Sequence, residues 1–258
     1  QRIAEDYLRI LRFFRIHAAF GHGDPDRDGY LACIAARGGL AALSAERVRM
    51  EMLKLVVADG AAGALTAMVD AGLLTSILGG VAYLGPFAAM VAAERELALP
   101  PNPIRRLAAL AVAVTEDARR LGTRLKLSNA ETKALDLMGH RWWRFASAAE
   151  ARARRLLYRL GETNYRDRLL LAWARAGRDR DAPRWRDLAL LPQRFTPPKF
   201  PLKAADFIAR GIAEGPLLGH VLTLAEDAWL AADFPLDAPR LHAIADQAAA
   251  RIHRDGRS

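Results

Sequence analysis

Apolar residues recur at three- and four-residue spacing along almost the whole 258-residue chain, and few alternating β-branched stretches interrupt them. That period places apolar side chains on one face of a helix and cannot supply the two-residue alternation of a half-buried strand. The expected fold is therefore all-α, an elongated array of short helices with no sheet. Apolar residues make up 52% of the chain, enough to expect a folded core and not a disordered polymer.

Glycine and proline set the expected breaks. A first helix is predicted over residues 2–20, ended by Gly21-His22-Gly23, and a short one over 28–37, stopped by Gly38-Gly39. Ser44 is a good N-cap for an arginine- and glutamate-rich helix from Arg47 to about Ala58. Gly60 to Gly63 break the pattern before a helix that ends near Ala71. Pro100-Pro101-Asn102-Pro103 opens a new segment, with 104–122 helical. Ser128 and Glu131 stand at capping-box spacing, and 131–158 reads largely as helix, followed by 166–176. Residues 191–202 hold four prolines and form the clearest linker. Beyond it 203–214, 216–232 and 238–253 read as helices. The expected division is 1–99, 100–192 and 193–258.

The first helix carries a polar row. Asp6, Arg9, Arg12 and Arg15 are spaced by three, so they are neighbours on a helix surface, while Ile10, Leu11, Phe13 and Phe14 supply the apolar side. A carboxylate beside a guanidinium sets an acceptor and donors at a spacing that suits the hydrogen-bonding edge of a base. Further arginines along the row suit a triphosphate. The alternative is an amphipathic helix with a solvated basic face.

The formal net charge is +9, and it is regional: residues 141–210 hold 17 Lys/Arg against 7 Asp/Glu. Arg152, Arg155 and Arg159 share one helix face, and Leu156, Leu157 and Leu160 lie on another. Trp142, Trp143 and Tyr158 interleave with the basic stretch, and Arg175, Arg178, Arg180, Arg184 and Arg186 extend it. Such a surface suits an RNA backbone held by charge. Arg152, Arg155, Arg159 and Arg178 are the candidate RNA contacts; a solvated face over core tryptophans is the alternative. The segment from Gly211 to Gly215-Pro216 offers a close backbone approach to RNA or a helix–helix turn, and the turn is the favoured reading.

Other classes are excluded. The single cysteine, Cys33, rules out an intramolecular disulfide, and no His/Cys cluster has zinc spacing. The six histidines, His17 among them, are scattered, and no His-Asp doublet marks a metal phosphohydrolase. The uncharged run 71–93 has the length of a membrane span, but Gly79-Gly80 and Gly85-Pro86 break it and Asp70 and Glu94 flank it. Two buried helices joined by a turn are expected there, with no membrane partner. Charges run through residues 1–20, so they do not resemble a signal peptide, and a cytoplasmic protein is expected.

The stretch from Arg2 to Arg15, with its Glu5-Asp6-x-x-Arg9 core, resembles the neck helix of bacterial-type CCA-adding enzymes and the related poly(A) polymerases. The stretch Leu43-Ser44-Ala45-Glu46-Arg47-Val48-Arg49-Met50-Glu51-Met52-Leu53-Lys54 resembles the family's next neck motif, in the right order and about forty residues on. Residues 211–219 are similar to the C-terminal part of alphaproteobacterial members, while 75–140 match only loosely.

The resemblance implies a neck, body and tail. It implies that Asp6 and Arg9 act as a protein template for the base of CTP or ATP, that Glu5 orients them, and that Arg12 and Arg15 hold the nucleotide. It further implies tRNA as partner, without DNA. Mg²⁺ would be held by two carboxylates in a catalytic head upstream of the neck. The chain begins at Gln1, just before the neck motif, so the head is expected outside this sequence, no catalytic residue is assigned in it, and the chain alone is expected to be inactive.

Nothing within the chain substitutes for that head. Asp24-Pro25-Asp26 and Asp179-Arg180-Asp181 follow no glycine turn and strand. Gly79-Gly80 with Glu94-Arg95-Glu96 mimics the spacing by chance, in an Ala-rich helical context. Asp24 to Gly29 imitates a calcium loop, but its twelfth position is Ala35 where a glutamate is required, so an exposed acidic turn is expected. The functional expectation is the nucleotide-selecting and tRNA-binding portion of a tRNA nucleotidyltransferase that adds CCA. The alternatives are a poly(A) polymerase or a non-catalytic RNA-binding or scaffold protein.

Overall fold

The computed structural model describes residues 2–145, 149–177 and 181–255, and among them there is no strand. Among the described residues sixteen α-helices follow one another. In the first half these are α1 (Arg2–Glu5), α2 (Leu8–Phe20), α3 (Arg27–Ala35), α4 (Ala45–Val56), α5 (Ala61–Asp70), α6 (Leu74–Leu78), α7 (Leu84–Glu96) and α8 (Pro103–Ala111). The second half holds α9 (Thr115–Arg124), α10 (Asn129–Gly139), α11 (Glu150–Ala176), α12 (Ala182–Ala189), α13 (Leu191–Arg194), α14 (Ala204–Ile208), α15 (Pro216–Ala231) and α16 (Ala238–Asp255). Gly161 sits inside α11 at φ 72°, a left-handed conformation that glycine adopts without a Cβ clash, and it divides that run in two.

The chain forms two compact units: residues 1–147 with 162–189, and residues 148–161 with 190–258. In the first unit α2 packs on α4 and α5, α7 on α8, and α9 on α10. Its core includes Phe14, Met52, Leu55, Phe87, Met90, Leu107, Leu121 and Trp173, all fully buried. The second unit closes α14, α15 and α16 around Phe207, Val221, Trp229 and Ala245. Tyr158 stacks edge-on against Trp229, with centroids 5.5 Å apart, and the Trp229 indole N–H donates to the Pro235 carbonyl at 2.8 Å.

A buried ion network pins α7 to α8. The Glu94 carboxylate, 1% exposed, accepts from Arg105 Nε at 2.8 Å and Arg106 Nε at 2.6 Å. Arg105 also donates to Asp167 at 2.9 Å and Arg106 to the Val56 carbonyl at 3.0 Å. A buried carboxylate is tolerated only when its lone pairs are met in this way. Glu94, half of the chance fingerprint, thus has a structural place.

Several expected helices break where a side chain takes over backbone bonding. The first divides at Asp6-Tyr7, where Asp6 Oδ1 accepts from the Leu8 N–H at 3.1 Å. The run 104–122 divides at Val112-Ala113-Val114, where Asp117 Oδ2 accepts from the N–H groups of Ala113 at 2.7 Å and Val114 at 3.1 Å. The run 203–214 shrinks to α14, capped by Asp206 accepting from the Lys203 N–H at 2.7 Å, and the chain then turns through Gly211 at φ 83°. The stretch 131–158 ends as α-helix at Gly139 and passes through a 3-10 turn, Trp142–Phe145, before α11 begins. Ser44 and Ser128 cap α4 and α10, the second with the reciprocal Glu131 bond. Asp26 caps α3 from an exposed acidic turn. Among the described residues no helix is long and apolar enough to cross a membrane.

Candidate functional site

The two motifs read from the sequence meet in the first unit. Helix α2 lies against α4, because Ile10, Leu11 and Phe14 on one and Met52, Leu55 and Val56 on the other are buried. That packing brings the polar row of α2 over the charged face of α4. Asp6 Oδ2 accepts from Arg47 Nη2 at 2.9 Å. Glu51, 4% exposed, accepts from Arg12 Nε at 3.4 Å and from Arg15 Nε at 2.6 Å. Glu5 accepts from Arg9 Nη1 at 3.1 Å, one turn along the chain.

This geometry leaves donors and acceptors on offer. Glu51 engages the Nε of both arginines, and among the described residues the terminal nitrogens of Arg12 and Arg15 donate no hydrogen bond. Asp6 uses one lone pair on each oxygen, so a carboxylate with about four acceptor sites keeps capacity. Its pKa is held below the ordinary carboxylate value, first by the Leu8 N–H, against desolvation, and further by Arg47. Asp6 is therefore an acceptor at neutral pH. The Asp6, Arg9 and Arg12 side chains are 29%, 42% and 48% exposed, so a ligand can reach them.

Arg47 and Glu51 were not among the sequence-assigned site residues. The signal was present: they stand four apart on one helix face, with charges opposite to Asp6 and to the Arg12–Arg15 pair. Beside them a cavity of about 490 Å³ is lined by Arg37, Leu43, Val48, Ile77 and Arg124. The Arg124 guanidinium is spent on the carbonyls of Ser76 and Ile77.

The basic candidates divide between the units. Arg152, Arg155 and Arg159 fall on the first part of α11, in the second unit. Arg159 pairs with Asp227, and Arg155 Nε donates to the Ala151 carbonyl of its own helix at 3.3 Å. Arg152 is half-buried and forms no ion pair among the described residues. Arg178, like Arg180, lies outside the described residues. Tyr158 donates to Glu226 at 2.5 Å, and burial followed by that carboxylate pushes its pKa up to about 12. In the first unit Trp142 is fixed by an indole N–H bond to the Ala113 carbonyl at 2.9 Å, while Trp143 is 50% exposed. Among the described residues no three His, Cys, Asp or Glu side chains gather to hold a metal ion.

Residues 31–84 match the family model described as "Probable RNA and SrmB- binding site of polymerase A". The mitochondrial CCA tRNA nucleotidyltransferase 1 of Mus musculus is 34% identical over 134 residues, which is 51% of this chain and 30% of the mouse protein. A solved CCA-adding enzyme with CTP superposes with a TM-score of 0.67 at 15% identity, over 93% of this chain and 59% of that one. The Thermotoga maritima CCA-adding enzyme complexed with tRNA(CCA) gives 0.61 at 16%, over 97% and 62%. The chain thus spans about a third of the curated relative and under two thirds of the solved ones. Residues 6–15 and 47–51 meet as one ion network in an all-helical fold that is similar to that of solved CCA-adding enzymes.

Proposed function

We propose that the chain is the nucleotide-selecting and tRNA-holding portion of a tRNA nucleotidyltransferase that extends tRNA 3′ ends with C and A from CTP and ATP. The observation that carries this is the paired network of Asp6 with Arg47 and of Arg12 and Arg15 with Glu51. Cytosine and adenine each present an amino donor beside an unprotonated ring nitrogen; uracil and guanine present the reverse order. An acceptor on Asp6 beside donors on Arg9 matches the first pattern and leaves the second with facing acceptors and facing donors. Glu5 holds Arg9, and Arg47 holds Asp6, so neither must be ordered when the base arrives. Glu51 fixes the planes of two guanidinium groups whose outer nitrogens suit phosphate oxygens. Chemistry at the 3′ hydroxyl belongs to residues this chain does not assign.

The test is Asp6→Ala in an enzyme that joins these residues to a catalytic head, scored by the nucleotides incorporated on tRNA lacking CCA. Loss of the preference for C and A over U and G is expected, by 10-fold or more per base. An unchanged preference would sink the template role. A poly(A) polymerase is the sister reading, favoured by the name of the matching family model. A homopolymeric A product on generic RNA would select it.

A further inference from the structure

Among the described residues Arg168 is the one strongly buried cation whose charge the fold leaves unmatched. It is 6% exposed, as deep as Arg105 and Arg106. Those two share Glu94 and further acceptors. Arg168 forms no ion pair among the described residues, and its Nε has no hydrogen-bond partner. Its guanidinium lies 5.8 Å from the centroid of the Phe145 ring, which offers a face but no countercharge. A buried charge without a partner is costly. The surroundings make it costlier: burial first, then Arg144 and Arg141, lower the Arg168 pKa to about 10. Burial and the same three arginines also depress the pKa of His140, with only Asp136 opposing.

This crowd of cations is rimmed by an aromatic. Arg144 and Trp143 belong to the 3-10 turn that Phe145 closes. Trp143 is half-exposed and set edge-on to Trp142, which is itself pinned through its indole N–H and lies beneath Arg175. A braced, exposed indole beside uncompensated guanidinium groups matches the two halves of a nucleotide unit, base and phosphate.

We infer that Arg168, Arg141 and Arg144 seat one phosphodiester of an RNA backbone and that Trp143 stacks an adjacent unpaired base. The inference rests on the proposed RNA-binding role and adds to it a specific anchor in the first unit. That anchor is distinct from the neck network and from the Arg152, Arg155 and Arg159 face. It also explains the unmatched charge: the RNA phosphate is the missing partner.

The test is binding of the full chain to tRNA lacking CCA across a salt series, beside thermal melting without RNA. Arg168→Met keeps the stem against Phe145 and removes the charge. It is expected to lower the slope of log affinity against log salt by about 0.7–0.9, one phosphate contact. Its Tm without RNA is expected to hold or rise, because an unpaired buried charge is gone. Trp143→Ala is expected to weaken binding about 5- to 100-fold with the slope unchanged. Arg240→Met, an exposed arginine of the second unit, is expected to leave the slope alone.

A slope unchanged in Arg168→Met, or a Tm loss with RNA binding intact, assigns Arg168 to packing and overturns the inference. Should that variant fail to fold, Arg141→Met with Arg144→Met, both exposed, carries the test, with a slope loss of up to about 0.7–0.9, the same single phosphate, expected and no loss overturning it. An Arg240→Met loss equal to that of Arg168→Met also overturns it, since binding would then be diffuse. If the unaltered chain does not bind tRNA, the RNA-binding role falls with it; if it binds and the variants change nothing, only the anchor falls.

Discussion

Glu51 shows how one carboxylate can hold two guanidinium groups in place. Its two oxygens take the Nε of Arg12 and Arg15, and its own side chain is almost wholly buried beneath them. Glu51→Gln keeps the shape and removes the charge that two guanidinium groups face. Because Arg12 is half exposed and Arg15 a quarter exposed, water can rescue part of the loss, and a cost of about 1–2 kcal/mol is expected, below that of a fully buried pair. Urea unfolding with the midpoint lowered and the slope unchanged checks this. An unshifted midpoint would mean that the pairs contribute nothing to stability. Of the candidate site, Arg9, Arg12 and Arg15 were legible in the spacing of α2, while Asp6 falls in the break ahead of it. Arg47 and Glu51 lie in the second neck motif, yet their partners sit 41 and 36–39 residues away, and no local period reports a tertiary contact.

Several helix starts in this protein are set by acids reaching back to the backbone. Asp117 satisfies the N–H groups of Ala113 and Val114, and Glu131 takes the Ser128 N–H and hydroxyl along with Arg49. Burial works against both carboxylates, and these hydrogen bonds outweigh it, so both pKa values are depressed. A depressed folded pKa contributes stability that is full above the unfolded value and is lost as pH falls through the folded one. Acid destabilisation below about pH 4 is therefore expected to flatten in Glu131→Gln. Equal acid slopes in the two proteins, from urea midpoints at pH 3 to 6, would remove Glu131 from the account. The same acids explain where periodicity misjudged the elements. Apolar spacing runs unbroken through 112–114, so only Asp117, three residues beyond Val114, marked a new start there; the run 203–214 ends early because the chain turns through Gly211 at φ 83°. Ser128 with Glu131 was visible because both halves of that cap are in the sequence signature.

The second unit takes its first helical stretch from residues 148–161 and the rest from 190–258. A unit assembled from two separated stretches has no linear signature, although the all-helical class was plain from the apolar period. Tyr158 supplies a ring against both Trp229 and Phe234, and Arg154 lies over Phe195. A fragment of residues 190–258 is therefore expected to lack the cooperative near-UV transition of Trp229 and to regain it when a peptide of residues 149–161 is added. A sharp transition in the fragment alone would show that the earlier stretch is dispensable.

That split assembly also has a history in time. A ribosome delivers residues 148–161 well before Trp229 or Ile252, and at cellular elongation rates the gap of some ninety residues lasts on the order of 5–20 s. Through that interval Tyr158 waits beside the exit tunnel without its cover. The nascent chain thus passes through a stage that a chaperone, or a misplaced neighbour, has time to find.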